Sequence, residues 1–189
     1  DPILEDMLQT VDAVVIGPGL GQESWGERLL ARVIESDLPL LVDADGLNHL
    51  AKMNERQSNW ILTPHPGEAG RLLDVPTSEI EAERYQQVIR IQEQYAGVVV
   101  LKGAGTLIAT EEAITVCTEG NPGMATGGMG DILSGVIGAF LAQGFDTTHA
   151  ARLGVSLHAR AGDMAAQKGE TGLLATDLLD PLRELVNHP

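Results

Sequence analysis

The chain has 189 residues, which suits one domain of ordinary size and does not call for a second core. Twelve Lys and Arg stand against 27 Asp and Glu, a formal charge of −15, and this excludes a general nucleic-acid or anionic-membrane surface, because both need concentrated positive charge. With 43% hydrophobic and only 3% aromatic residues, the composition is that of a globular α/β protein rather than a β-sandwich or a disordered chain.

The chain opens with DPILEDMLQT, which is not a signal peptide, and its longest apolar runs fall far short of the ~20 residues of a membrane span. The lone Cys117 excludes an internal disulfide framework. A cytoplasmic protein with no membrane partner is the expectation.

In chain order, residues 11–16 (VDAVVI) form a β-branched apolar run that reads as a strand buried on both faces of a parallel sheet. Ser24 with Glu27 has the spacing of a capping box and predicts a helix through Leu29, Leu30, Val33 and Ile34. Residues 38–42 (LPLLV) predict a second strand, 44–53 a short helix, and 60–63 (WILT) a third strand halted by the prolines of PHPG. Ser78 with Glu81 predicts the start of a long helix reaching Tyr95, where Gly97 ends it. Residues 98–102 (VVVLK) are a fourth strand. TLIAT and ITVCT around Glu111 and Glu112 read as an edge hairpin, and helices are predicted over 131–143, 148–168 and 177–187. Strands alternating with helices imply right-handed crossovers and a mostly parallel sheet with helices on both faces. No repeat or linker divides residues 1–189, so a single domain is expected.

In such sheets ligands bind beyond the carboxyl ends of the strands. There stand GPGLG (17–21), DADGLN (43–48), PHPGE (64–68) and KGAGT (102–106). GPGLG lacks the dinucleotide fingerprint, because Gln22 occupies the place of its last Gly, and it reads equally as a tight turn. Asp43 and Asp45 suit either Mg²⁺ held through water or helix capping. His65 and Glu68 lack a clear third ligand for zinc; a hard-cation role for Glu68 and a substrate contact for His65 fit better. Lys102 and the glycines behind it suit an anion or nucleotide, although the P-loop order is missing. His149 and His158 fall in a helical pattern and read as surface or core residues.

The run 126–131 (TGGMGD) places several free amides at a helix start, where the helix dipole adds positive potential. Gly127, Gly128, Met129 and Gly130 thus form an anion hole for a transferring phosphate. Beside them the Asp131 carboxylate is placed to accept the proton of an attacking hydroxyl.

Taken in this order, GPGLG, VDADGLN, TPHPGE, LKGAGT and N-x-G-M-A-T-G-G-M-G-D resemble the ADP/ATP-dependent NAD(P)H-hydrate dehydratases of the ribokinase-like superfamily along essentially the whole chain. The resemblance implies a hydro-lyase that repairs hydrated nicotinamide cofactor: a nucleotide phosphorylates the C6 hydroxyl of NAD(P)HX, and phosphate then leaves to restore NAD(P)H. It implies ADP or ATP as co-substrate, with Mg²⁺, and an assembly of several copies. Gly19, His65 and Asp131 would contact the hydrate. Lys102, Gly103, Ala104, Gly105, Thr106 and Gly130 would bind the nucleotide, with Asp131 the base. Glu68 falls where superfamily relatives place a Mg²⁺-associated Glu in an N-x-x-E motif, whose first position is here His65. Family domains carry further elements upstream of the GPGLG strand, and in many bacteria an epimerase precedes them, so 1–189 is expected to be a partial domain. A ribokinase-like kinase of a vitamin-precursor alcohol, such as hydroxyethylthiazole, is the alternative.

Overall fold

The computed structural model describes residues 2–188. A six-stranded sheet runs in simple order: β1 (Val14–Ile16), β2 (Leu40–Val42), β3 (Trp60–Leu62) and β4 (Val98–Leu101) are parallel, and β5 (Thr106–Ala109) and β6 (Ile114–Cys117) close one edge as an antiparallel hairpin. The helices are α1 (Pro2–Leu8), α2 (Ser24–Ile34), α3 (Ala44–Leu50), α4 (Pro66–Leu73), α5 (Thr77–Ala82), α6 (Arg84–Tyr95), α7 (Met129–Ala142), α8 (Thr147–Ala165) and α9 (Leu179–Asn187). This is the expected mostly parallel α/β sheet with an edge hairpin and helices on both faces.

The two faces are filled from different parts of the chain. Because the parallel strands advance in one direction, right-handed crossovers put their connecting helices on a single face. Leu40, Val42, Trp60, Leu62, Val99 and Leu101 accordingly pack against α2, α3, α4 and α6. The alternate residues Leu41, Ile61, Val98, Val100 and Ile108 pack against Leu133, Ile137 and Leu141 of α7 and Val155 of α8. A period of two along each strand thus serves two apolar layers. A third cluster seats α9 on α7 and α8 through Leu178, Leu182 and Leu185.

Several predicted boundaries are corrected. β1 covers Val14–Ile16 and not the whole of 11–16: its partner strand starts only at Leu40, since Pro39 lacks an N–H and Asp37 is left-handed at φ 57°. Ser24 is not a cap but the first residue of α2, behind Glu23, and its Oγ accepts from Arg28 instead. Ser78 makes no side-chain cap either; α5 starts behind Pro76, and the predicted long helix breaks at Glu83 (φ −129°, ψ 44°) into α5 and α6. Two helices lie outside the sequence expectations, α1 and α4. A capping box exists at α4 after all, built by His65 and Glu68.

Candidate active site

The carboxyl ends of the parallel strands converge as expected. Behind β1, Gly17 has φ 130°, and a Cβ there would lie 1.7 Å from the Asp43 carbonyl oxygen, so only glycine lets this turn press on the start of α3. The turn is held from below: Asp45 Oδ2 accepts from the Gly21 amide at 3.0 Å, and the His49 ring bonds the Gly21 carbonyl at 2.9 Å. Asp45 also accepts from Gln22 and Asn48. It braces the GPGLG turn.

Asp43, at the end of β2, is 1% exposed. Its Oδ1 accepts from Lys102 Nζ at 2.7 Å, and its Oδ2 from the Ser134 hydroxyl at 2.8 Å. One carboxylate therefore ties together the ends of β2 and β4 and the first turns of α7. Lys102 Nζ also lies 3.7 Å from Glu68 Oε2. The ammonium of the KGAGT segment is thus turned into an internal ion-pair network. Ser134 is wholly buried and was missed by sequence reasoning; its place one helical turn beyond Asp131 was the available signal.

At the end of β3, Pro66 starts α4 and His65 caps it. His65 Nδ1 accepts from the amides of Gly67 at 2.9 Å and Glu68 at 3.3 Å, and Glu68 Oε2 accepts from the His65 amide at 2.8 Å. An Nδ1 that accepts two amides carries no proton, so the neutral ring holds its hydrogen on Nε2, 3.3 Å from Glu68 Oε1. Burial lowers the His65 pKa; the Glu68 charge opposes this, and the Lys102 and Arg71 charges add to it. The imidazole is half-exposed at the rim, with one edge committed to the cap.

At the start of α7, where an anion hole is expected, the groups on offer are backbone amides. Gly128 caps α7 in a left-handed conformation (φ 87°) with no side-chain hydrogen bond. Ile132 N–H closes the first helical bond, onto the Gly128 carbonyl, which leaves the amides of Met129, Gly130 and Asp131 without a partner inside the helix. A Cβ on Gly130 would stand 3.3 Å from Lys102 Nζ and 3.7 Å from Asp43 Oδ2, so the helix start rests directly on the ion pair. Asp131 in the first turn is exposed, and its carboxylate takes no part in the hydrogen bonds and ion pairs around Asp43. Beneath the same helix start, His158 of α8 is buried with its Nε2 unpartnered. Burial pushes its pKa down to about 4, against the Met129 backbone, which raises it, and with the Lys102 charge, which lowers it further.

Glu68, expected to meet Mg²⁺, is tied to the cap of α4. Both its oxygens face the His65 cap, both Asp43 oxygens are taken by Lys102 and Ser134, and no cluster of three acidic, His or Cys ligands occurs among the described residues.

The family described as NAD(P)H-hydrate dehydratase matches residues 2–184. The Bifunctional NAD(P)H-hydrate repair enzyme Nnr of Coxiella burnetii is 54% identical over 97% of this chain and 38% of its own length. The ADP-dependent (S)-NAD(P)H-hydrate dehydratase of Neisseria meningitidis is 39% identical over 95% of this chain and 64% of its own. The chain therefore spans about two fifths of the bifunctional relatives it matches. Among solved structures, the ADP/ATP-dependent NAD(P)H-hydrate dehydratase of Bacillus subtilis, co-crystallized with ATP/Mg²⁺, superposes with a TM-score of 0.85 at 33% identity over 93% of this chain and 64% of that one. A hydroxyethylthiazole kinase of Pyrococcus horikoshii shares the fold, with a TM-score of 0.76 at 19% identity over 96% of this chain and 75% of that one.

Proposed function

Because the chain belongs to the NAD(P)H-hydrate dehydratase family, we propose that it restores hydrated NAD(P)H to NAD(P)H at the expense of a nucleotide phosphoanhydride. The observation that carries the reading is the start of α7: unpartnered amides directly beside a carboxylate that is both exposed and outside the internal ion-pair network. In this reading the terminal phosphate of ADP or ATP lies against the amides of Gly128 to Asp131, where the helix dipole and Lys102 beneath supply positive potential to a chain that is otherwise strongly acidic.

Asp131 accepts the proton of the C6 hydroxyl as its oxygen forms the new P–O bond and the old anhydride bond breaks, leaving AMP from ADP. The C6–O bond then breaks with departure of phosphate, and loss of a proton from the neighbouring ring carbon restores the double bond. Preorganised donors contribute most here, because they need no rearrangement as charge moves. Gly19 and His65 contact the hydrate, and His65 offers it a neutral ring. Lys102, Gly103, Ala104, Gly105 and Thr106 with Gly130 receive the nucleotide; Lys102 acts through the backbone and its field, since its ammonium is held by Asp43. Mg²⁺ neutralises phosphate charge when bound, and in this reading it arrives on the nucleotide rather than at Glu68.

Residues 1–189 are read as one partial dehydratase domain. Cytoplasmic location, assembly of several copies and an epimerase domain elsewhere on the full chain belong to the same proposal. No described helix is long and apolar enough to cross a membrane. The similarity to a vitamin-precursor kinase extends to the fold alone, whereas a bifunctional NAD(P)H-hydrate repair enzyme is 54% identical and an ADP-dependent NAD(P)H-hydrate dehydratase 39%.

The test is to incubate the full-length protein with hydrated NADH, Mg²⁺ and ADP, and separately ATP, and to follow the dihydronicotinamide absorbance. Recovery of NADH with formation of AMP and phosphate is expected from ADP. Nucleotide consumption that leaves a stable phosphorylated alcohol would favour the kinase alternative.

A further inference from the structure

Arg84, the first residue of α6, reaches across to the turn between β4 and β5. Its Nη1 donates to the Ala104 carbonyl at 2.5 Å, and its Nη2 lies 3.3 Å from the Leu101 carbonyl and 3.5 Å from that of Lys102. The Thr106 hydroxyl donates to the remaining carbonyl of the turn, Gly103, at 3.1 Å. All carbonyls from Leu101 to Ala104 thus face donors of the protein itself. The amides of Gly103, Ala104 and Gly105 meet no acceptor among the described residues.

These two facts are linked by peptide geometry. In a planar trans peptide the carbonyl of one residue and the N–H of the next point in opposite directions. Holding the Lys102 and Ala104 carbonyls toward Arg84 therefore turns the N–H groups of Gly103 and Gly105 away from it. The Thr106 bond does the same for the N–H of Ala104. A carbonyl that accepts from a guanidinium also polarises its peptide, which strengthens the attached N–H as a donor.

The local chain is shaped around this contact. Gly103 has φ 139°, a conformation that favours glycine, and a Cβ there would lie 3.1 Å from Arg84 Nη2, so a side chain at this position would crowd the guanidinium. The helix break at Glu83 places Arg84 at the start of α6, and its Nε is buried without a partner, which leaves the fork of Nη1 and Nη2 wholly devoted to the turn. Lysine has no comparable fork, and one ammonium cannot serve carbonyls spaced in this way.

We infer that Arg84 is the positioning residue of the nucleotide site: by holding the turn's carbonyls it presents the amides of Gly103, Ala104 and Gly105 as a row of donors for the phosphate that stays with the nucleoside. This rests on the assignment of residues 102–106 to the nucleotide. The phosphate that leaves is held separately at α7, so the two phosphates of ADP are divided between two sets of backbone amides.

The experiment is calorimetric titration of AMP, ADP and adenosine into the full-length protein and into Arg84→Gln and Arg84→Lys. Arg84→Gln weakens AMP and ADP by roughly tenfold to hundredfold, the effect of losing charged hydrogen bonds. It leaves adenosine within about twofold, and Arg84→Lys recovers only a small part of the loss. In turnover the KM for ADP rises while kcat holds within about twofold. The inference is overturned by unchanged AMP affinity in Arg84→Gln, by full rescue in Arg84→Lys, or by an equal loss for adenosine and AMP. Should either variant fold poorly, its melting temperature without nucleotide reports that, and the other variant still decides. Failure of the unsubstituted protein to bind AMP or ADP would instead remove the nucleotide assignment itself.

Discussion

Two aspartates of the same rim have opposite fates. Asp43 ends β2, is 1% exposed, and spends both oxygens on Lys102 and Ser134. Asp131 sits in the first turn of α7, exposed and outside that network. Both are acidic residues beside glycines at the end of a strand or the start of a helix. What separates them is which partners remain to them: a carboxylate already held by an ammonium and a hydroxyl is a strut, whereas one left open beside unpartnered amides can take a proton. The strut fixes the helix start on which Asp131, the proposed base, stands.

Breaking the open member of the pair should cost the most activity. Asp131→Asn removes the proposed proton acceptor and keeps the shape, and general-base catalysis of this kind contributes about 10²–10⁴-fold. We expect kcat to fall by that amount, nucleotide affinity to change by less than about threefold, and unfolding free energy to stay within about 0.5 kcal/mol, as for other exposed substitutions. Denaturant unfolding alongside single-turnover kinetics checks both parts; near-normal turnover would deprive Asp131 of its role.

The buried member should reverse the pattern, with stability lost first. Asp43→Ala leaves the Lys102 ammonium largely buried with only Glu68 at 3.7 Å, and breaking such a pair costs about 3 kcal/mol. Its melting temperature should fall well below that of Asp131→Asn, with activity lost only in proportion to the disturbed helix start. An Asp43→Ala protein as stable as the parent would show that the network is not a strut.

A pH-dependent effect of similar size comes from His158 beneath the same helix. Its pKa is about 4 in the folded protein against an ordinary 6.5, so the unfolded chain binds the extra proton more readily. The stability that the neutral ring confers is complete above 6.5 and is lost as pH falls toward about 4, a difference of roughly 3 kcal/mol. His158→Asn should flatten this part of the stability profile between those limits. Denaturation series from pH 7 to 4 for both proteins measure it, and identical slopes would place the proton elsewhere.

Much of the fold was legible because parallel strands buried on both faces read as unbroken apolar runs, as in VVVL of β4 and LLV of β2. The edge hairpin was equally plain from its turn. What the residues did not disclose were the local contests. Ser24 and Glu27 have capping spacing, yet the helix starts one residue earlier, and Ser24 bonds Arg28. His65 and Glu68 do form a capping box, but histidine lies outside the usual cap set, and only Pro66 at the first helical position and Glu68 at the third hinted at α4.

At the candidate site, the glycines and Asp131 were legible as a pattern because backbone amides need no particular side chain, only the absence of one. The Asp43–Lys102–Ser134 tie could not, since it joins residues 59 and 91 positions from Asp43 that only the folded sheet brings together. Lys102 was expected to face an anion, and its ammonium is instead paired inward; the acidic surroundings that make a lone cation look available for a ligand are the same ones that capture it.

A crystal structure of the full-length protein with ADP and Mg²⁺ tests the division of labour most directly. The terminal phosphate should lie with its oxygens about 3 Å from the amides of Gly128 to Asp131, with the Asp131 carboxylate open to the acceptor hydroxyl. A terminal phosphate lodged away from the start of α7, or paired to Lys102 after displacement of Asp43, would contradict it.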